Sequence, residues 1–245
     1  MLEARERPRF RPLWLAVGGV VLAVTLLACM VTLLSWVGRQ SETQRQDYRR
    51  PARLEVDVAG TEVVLQAFDA DRVEVERWLT WATGKPAPRE TWQGDTLRLS
   101  LDCPPTPNLP GCSAAYRIWV PADLPVSVRT VSGAVRLESL RGQVTVDTDS
   151  GDVRGSGLGA GDFTAGAGSG DVRLAFTGVP KRVAARTSSG DITVIVPREH
   201  GYNVRARATD GQESIGVRRD PAASATIEAS TDVADITIGD TSYAR

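Results

Sequence analysis

The chain has 245 residues, a formal net charge of −1 and 42% hydrophobic residues. That balance gives no polybasic signature for nucleic acid. The length suits one domain with a sizeable core once an N-terminal apolar run is set aside.

Residues 1–12 form a basic tail carrying Arg5, Arg7, Arg9 and Arg11. Residues 13–37 then run for 25 residues without a charge. As a helix this stretch would be about 37 Å long, enough to cross a hydrocarbon core of about 30 Å. Trp14 and Trp36 sit near its two ends, where interfacial tryptophan belongs. The reading is a single transmembrane helix with the basic tail on the cytoplasmic side. Leu26-Leu27-Ala28-Cys29 resembles a lipobox, so lipidation at Cys29 is the alternative, although Met30-Val31-Thr32-Leu33-Leu34 continues the apolar run beyond it. Either reading keeps the chain on a membrane.

Residues 38–53, rich in Gln and Arg, read as a linker. Residues 54–125 read as an N-terminal β layer or cap. Apolar residues alternate at Leu54, Val56 and Val58, at Val73 and Val75, at Leu97, Leu99 and Leu101, and at Tyr116, Ile118 and Val120. Trp78, Trp81 and Trp92 fall in this layer and are expected to cover an open end of the core; stacking on a sugar is the alternative. Cys103 and Cys112 bracket a loop containing Pro104, Pro105, Pro107 and Pro110. The expectation is a disulfide, hence an oxidising compartment, with everything after the apolar run extracytoplasmic.

Residues 126–245 are organised by a recurring phrase. Ser132-Gly133-Ala134-Val135 is followed by Ser150-Gly151-Asp152-Val153, Ser169-Gly170-Asp171-Val172 and Ser189-Gly190-Asp191-Ile192. The glycines are 18, 19 and 20 residues apart, the signature of a repeat architecture. Alternating apolar positions flank each turn, for example Val144, Val146 and Thr148 before and Val172, Leu174 and Phe176 after. Period-two alternation means half-buried strand, and Ser-Gly-Asp is turn chemistry. Weaker copies centred on Asp210-Gly211 and Ala234-Asp235 bring the count to six rungs of two strands. The predicted fold is all-β: a two-sided parallel β-solenoid after one transmembrane helix, with an antiparallel β-sandwich as the alternative. Stacking should align Asp152, Asp171 and Asp191 in one column and Arg136, Arg154 and Arg173 in a neighbouring one.

Repeated Ser-Gly-Asp-Val/Ile turns after an apolar anchor resemble the bacterial putative adhesin family, a domain of unknown function. The resemblance covers about residues 54–240. It implies a β-solenoid-like domain in an envelope protein, with surface binding as its role. The first turn, with Ala134 in place of Asp, departs from the pattern, as do the last two.

Little in the sequence points to chemistry. The turn aspartates offer too few further oxygen ligands for calcium, which takes six to eight. His200 is the sole histidine and has no evident nucleophile partner, and there is no phosphate loop or dinucleotide fingerprint. No catalytic, metal-binding or cofactor-binding residue is expected. The expectation is a membrane-anchored, non-enzymatic binding module of the cell envelope, its partner an unidentified polymer or protein. A structural or regulatory scaffold that meets other membrane proteins or itself is the second reading, and a carbohydrate-active enzyme the third.

Overall fold

The computed structural model describes residues 19, 21–30, 40–60, 62–81, 84–102 and 113–241. It divides into residues 1–40 and residues 41–245. In the first unit, residues 21–30 are helical, and Val21, Leu22, Val24, Leu26, Leu27 and Met30 are all more than half exposed. Among the described residues no helix is long and apolar enough to cross a membrane. Most of the rest of the 13–37 run lies outside them, as do Cys103 and Cys112.

The second unit is a two-sided solenoid. β1 (Gln40–Arg49) is followed by β2 (Arg53–Val58), β3 (Glu62–Phe68), β4 (Arg72–Trp81), β5 (Ala87–Gln93), β6 (Thr96–Asp102) and β7 (Ser113–Pro121). The regular repeats supply β8 (Val126–Ser132), β9 (Val135–Glu138), β10 (Val144–Ser150), β11 (Val153–Leu158), β12 (Asp162–Ser169), β13 (Val172–Phe176), β14 (Arg182–Ser189) and β15 (Ile192–Val196). The chain closes with β16 (Asn203–Asp210), β17 (Glu213–Ile215), β18 (Thr226–Val233) and β19 (Ile236–Asp240). One sheet has ten strands in the order β1-β4-β7-β3-β9-β11-β13-β15-β19-β17; the other has nine, β16-β18-β14-β12-β10-β8-β2-β6-β5. Each rung gives its first strand to the nine-stranded sheet and its second to the ten-stranded one. The rungs stack in parallel register, as in Val144↔Phe163 and Val153↔Val172. The antiparallel sandwich is thereby set aside; antiparallel pairing is confined to the N-terminal end, as in β4 against β7 and β5 against β6.

The core lies between the sheets. Val126, Val144, Phe163, Val183 and Ile227 line one wall, and Val135, Val153, Val172, Ile192 and Ile236 line the other, all buried. Each such side chain contributes about 1.5–3 kcal/mol by leaving water. Phe163 and Phe176 meet edge to face at 5.0 Å. In β11 the inward position after Val153 is Gly155, where a Cβ would collide with Leu158. A register shift between Gly155 and Leu158 lets the leucine fill that space.

Three expectations need correction. Residues 40–49 are not linker but strand β1, paired at the edge of β4. The strand is polar because it is an edge; Tyr48 alone reaches the core, at 8% exposure. Next, the parallel rungs begin before Val126. β6/β7 and β2/β3 stack as full rungs below β8/β9, with Leu54↔Val126 and Val63↔Val135 in register. Finally, the last two rungs exchange places. β14 pairs with β18, and β16 pairs with the far side of β18. The rung richer in apolar residues, with Ile227, Ile236 and Ile238 buried, takes the place with two neighbours. The poorer one, with Val204, Ala206 and Ala208 only partly buried, takes the end. Sequence offsets report similarity between repeats, not spatial order.

The glycine column sets the rung spacing at the turns. Gly170 and Gly190 have φ of 143° and 151°. A Cβ on Gly170 would overlap the Gly151 carbonyl, and one on Gly190 the Gly170 carbonyl. Ala234 occupies the corresponding turn of its rung with φ 141°. Gly170→Ala is expected to cost about 3 kcal/mol, since strained φ and displaced backbone add. Ala234→Gly should instead gain up to about 1 kcal/mol. Urea unfolding of both variants checks the pair.

Candidate functional site

The turns predicted from sequence form one narrow edge of the solenoid. Ser132, Ser150, Ser169 and Ser189 lie in register and are exposed. Beside them the aspartates build a ladder. Asp152 Oδ1 accepts the Asp171 N–H at 3.0 Å, and Asp171 Oδ1 accepts the Asp191 N–H at 2.9 Å. Asp191 then accepts the Asp235 N–H at 3.2 Å, and Asp235 the Gln212 N–H at 2.8 Å. Each carboxylate thus holds the backbone of the next rung in space. Gln212 ends the series because its rung is the last and has none beyond it to hold.

The second carboxylate oxygen is also occupied where an arginine follows two residues on. Arg154 pairs with Asp152 at 2.7 Å and Arg173 with Asp171 at 2.8 Å. Arg136 of the first repeat, whose turn lacks the aspartate, pairs with Glu62 instead. The predicted arginine column is present, with Arg136, Arg154 and Arg173 in register. The Asp191 amide, then the Arg173 guanidinium, hold the Asp171 carboxyl below its ordinary range against the opposing effect of burial. These are turn-stabilising residues. Among the described residues no group of three or more His, Cys, Asp or Glu side chains could hold a metal ion. His200 is exposed in a turn.

Two concave surfaces were not foreseen from the sequence. The larger, of about 930 Å³, runs along the opposite narrow edge, where loops lead from one rung to the next. Arg50, Asp71, Asp123, Ser139, Arg141 and Gly157 are among its lining residues. Arg50 spans Asp71 at 3.0 Å and Asp123 at 2.9 Å, and it lowers the Asp123 pKa. Arg141 makes no ion pair with a described residue. Ser139 adopts φ 59° and Gly157 φ 63°, so the groove floor is a stacked pair of left-handed residues.

The smaller concavity, of about 540 Å³, lies on the outer face of the nine-stranded sheet over Gly166 and Gly168. In register across it run Arg129, Asp147, Gly166 and Arg186. Gly166 separates Asp147 from Arg186, and the two make no ion pair. A signal for this trough was present in the sequence: aligned repeats place glycine where the neighbouring repeats carry Asp147 and Arg186. The loop-edge groove had no such signal, because residues from six separate loops meet there only through stacking.

The tryptophans divide. Trp81 and Trp92 pack against the core at its N-terminal end. Lys85 lies over Trp81 at 5.6 Å and Arg49 over Trp92 at 4.7 Å. Trp78 faces outward beneath Arg117 at 5.5 Å.

Asp171→Ala is expected to cost about 1–2 kcal/mol, the loss of a charge-assisted hydrogen bond. Asp171→Asn, which keeps an acceptor for the Asp191 amide, should cost less. The folded pKa of Asp171 is lowered, so its stabilising contribution is complete above the unfolded carboxylate value. It is lost as pH falls through the folded value. The gap between wild type and Asp171→Asn should therefore close in acid, as urea melts at neutral and strongly acidic pH would report.

No curated protein matches the chain. Among solved structures it is similar to a putative cell adhesion protein from Clostridium sporogenes, at 12% identity and TM-score 0.47, covering 82% of this chain and 100% of that one. It is similar also to a putative adhesin from Bacteroides fragilis, at 13% identity and TM-score 0.40, over 81% of this chain and 97% of the other. A putative lipid binding protein from Parabacteroides distasonis follows at 12% identity and TM-score 0.33, over 82% and 97%. Likeness at this level says nothing about function. Residues 125–242 match the model of the Toastrack DUF4097 family.

Proposed function

We propose that this chain is a membrane-anchored, extracytoplasmic and non-enzymatic binding module of the bacterial cell envelope. The carrying observation is the loop-edge groove, in which Arg141 makes no direct ion pair with a described residue and acts on Asp123 only through its charge, while Arg50, at one end, is held by two carboxylates. A guanidinium without a direct ion pair, in a groove built on a stacked scaffold, is placed to take an anionic group of a polymer or protein. The non-enzymatic reading is supported by the turn carboxylates. Asp152 and Asp171 are committed to backbone amides and arginines, unlike the two free, suitably spaced carboxyl groups that glycoside hydrolysis uses. The anchor rests on the uncharged run of residues 13–37 and on helical residues 21–30, whose large apolar side chains are exposed.

Two measurements test this. On intact cells, added protease should remove the solenoid, and Cys103 and Cys112 should label with thiol reagents only after reduction. A protected domain with free thiols would invert the topology. In a cell-wall pull-down at physiological salt the protein should be retained, and Arg141→Glu should weaken retention several-fold. Equal retention of the variant would remove the groove from the account. The second reading, a scaffold that meets copies of itself, is favoured by the construction of strand β1.

A further inference from the structure

β1 has no counterpart in the other sheet, and its attachment differs from that of every rung. Its inward side chains include Gln44 and Tyr48. Gln44 Oε1 accepts a hydrogen bond from Arg77 Nε at 2.9 Å. Arg45 pairs with Glu76 at 3.2 Å, and Glu42 with Lys85 at 2.6 Å. Arg45 also lies over Trp119 at 5.7 Å. Only the Tyr48 ring enters the apolar core.

Beneath β1 the core is polar. Arg77, 6% exposed, is paired with Glu90 at 2.6 Å. The hydroxyls of Tyr48 and Tyr116 are buried beside the Glu90 carboxylate and the Arg77 guanidinium, without a hydrogen bond of ordinary geometry. A fully unsatisfied buried hydroxyl costs about 1–3 kcal/mol; a poorly satisfied one carries part of that cost and offsets part of what the Tyr48 ring contributes. A strand held by one aromatic ring and a set of polar contacts belongs to the low-stability end of a structure. On its release the backbone edge of β4 lacks a partner, and unpaired edges recruit strands.

The sequence complementary to that edge is β1 itself. Its contacts with Arg77, Glu76 and Lys85 can be made equally by the β1 of another copy. β1 would swing at the Arg49–Arg50 junction. From there the chain is fixed, because Arg50 is clamped to Asp71 and Asp123, Pro51 is buried and the Ala52 N–H donates to the Asp95 carbonyl.

We propose that β1 is exchanged between copies of this chain, the β1 of one adding to the β4 of another and the reverse, to give a reciprocal strand-swapped dimer. The same contacts form within and between chains, so the balance is set by concentration and by the hinge. The proposal goes beyond the binding role and draws on the membrane reading in one respect: tethered copies share a plane, which raises their effective concentration.

The test uses the full chain. Two differently tagged copies are co-reconstituted, one carrying Arg45→Cys and the other Glu76→Cys, and treated with a short bismaleimide. A pair without the engineered cysteines sets the background. The expected result is a product bearing both tags, several-fold above that background, in vesicles and in concentrated detergent solution alike. The proposal is overturned if a chain carrying both substitutions crosslinks within itself while the mixed single variants give no product above background in either setting. Failure of the membrane reading would show separately, in the protease experiment. As a second readout, Tyr48→Phe removes the poorly satisfied hydroxyl and should slow subunit exchange several-fold; unchanged exchange would exclude the release of β1 as the controlling step.

Discussion

The structure depends on the close approach of successive turns. Strands in a sheet lie about 4.8 Å apart, and a solenoid must keep that spacing at its corners as well as along its faces. The side chain is removed there: a Cβ on Gly170 or Gly190 would enter the backbone of the neighbouring turn. With the turns in contact, the Asp152, Asp171 and Asp191 carboxylates can reach the next amide. Inner threonines repeat the device on the core side, where the Thr187 and Thr231 hydroxyls donate to the carbonyls of Gly170 and Gly190.

A stack of rungs has two ends, and this chain treats them differently. The N-terminal end is closed by β4 and β5, one in each sheet and each antiparallel to its neighbour, by Trp81 and Trp92, and by β1. At the C-terminal end β16 has no further strand beside it, but the Glu213 carboxylate accepts the Ala208 N–H. That bond occupies an edge donor and blunts the edge as a template. Near both ends the chain also steps over a rung. β2/β3 lies between β6/β7 and β8/β9, and β18/β19 lies between β14/β15 and β16/β17. The end rungs are thus tied across an intervening rung rather than hung on the last turn.

The regular faces explain where the two larger concave surfaces described above arise. Along the ten-stranded sheet, outward charges neutralise each other within or between neighbouring rungs, as in Arg154 with Asp152 and Arg136 with Glu62. Such exposed pairs add little stability, but they neutralise much of the face. The two concavities arise where this order lapses: at the loops, whose lengths differ from rung to rung, and at Gly166, where no side chain stands between Asp147 and Arg186. The proposed binding role rests on the first of these lapses.

The sequence by itself determined the repeat, the parallel two-sided stacking, and the columns of Ser, Gly, Asp and Arg, because all of these follow from period-two alternation and a fixed step between Ser-Gly-Asp turns. It also pointed to Trp81 and Trp92 at the end of the core. Only the tertiary structure decided which rungs are neighbours. That depends on how much apolar surface each can bury, so Ile227, Ile236 and Ile238 displace the weaker 203–215 rung to the end. It alone turned the polar residues 40–49 into a strand, since an edge strand with partners such as Arg77 and Glu76 needs almost no apolar pattern of its own. The loop-edge groove was likewise beyond the sequence. Arg50 and Arg141 lie 91 positions apart and line one surface only because stacked rungs bring their loops together.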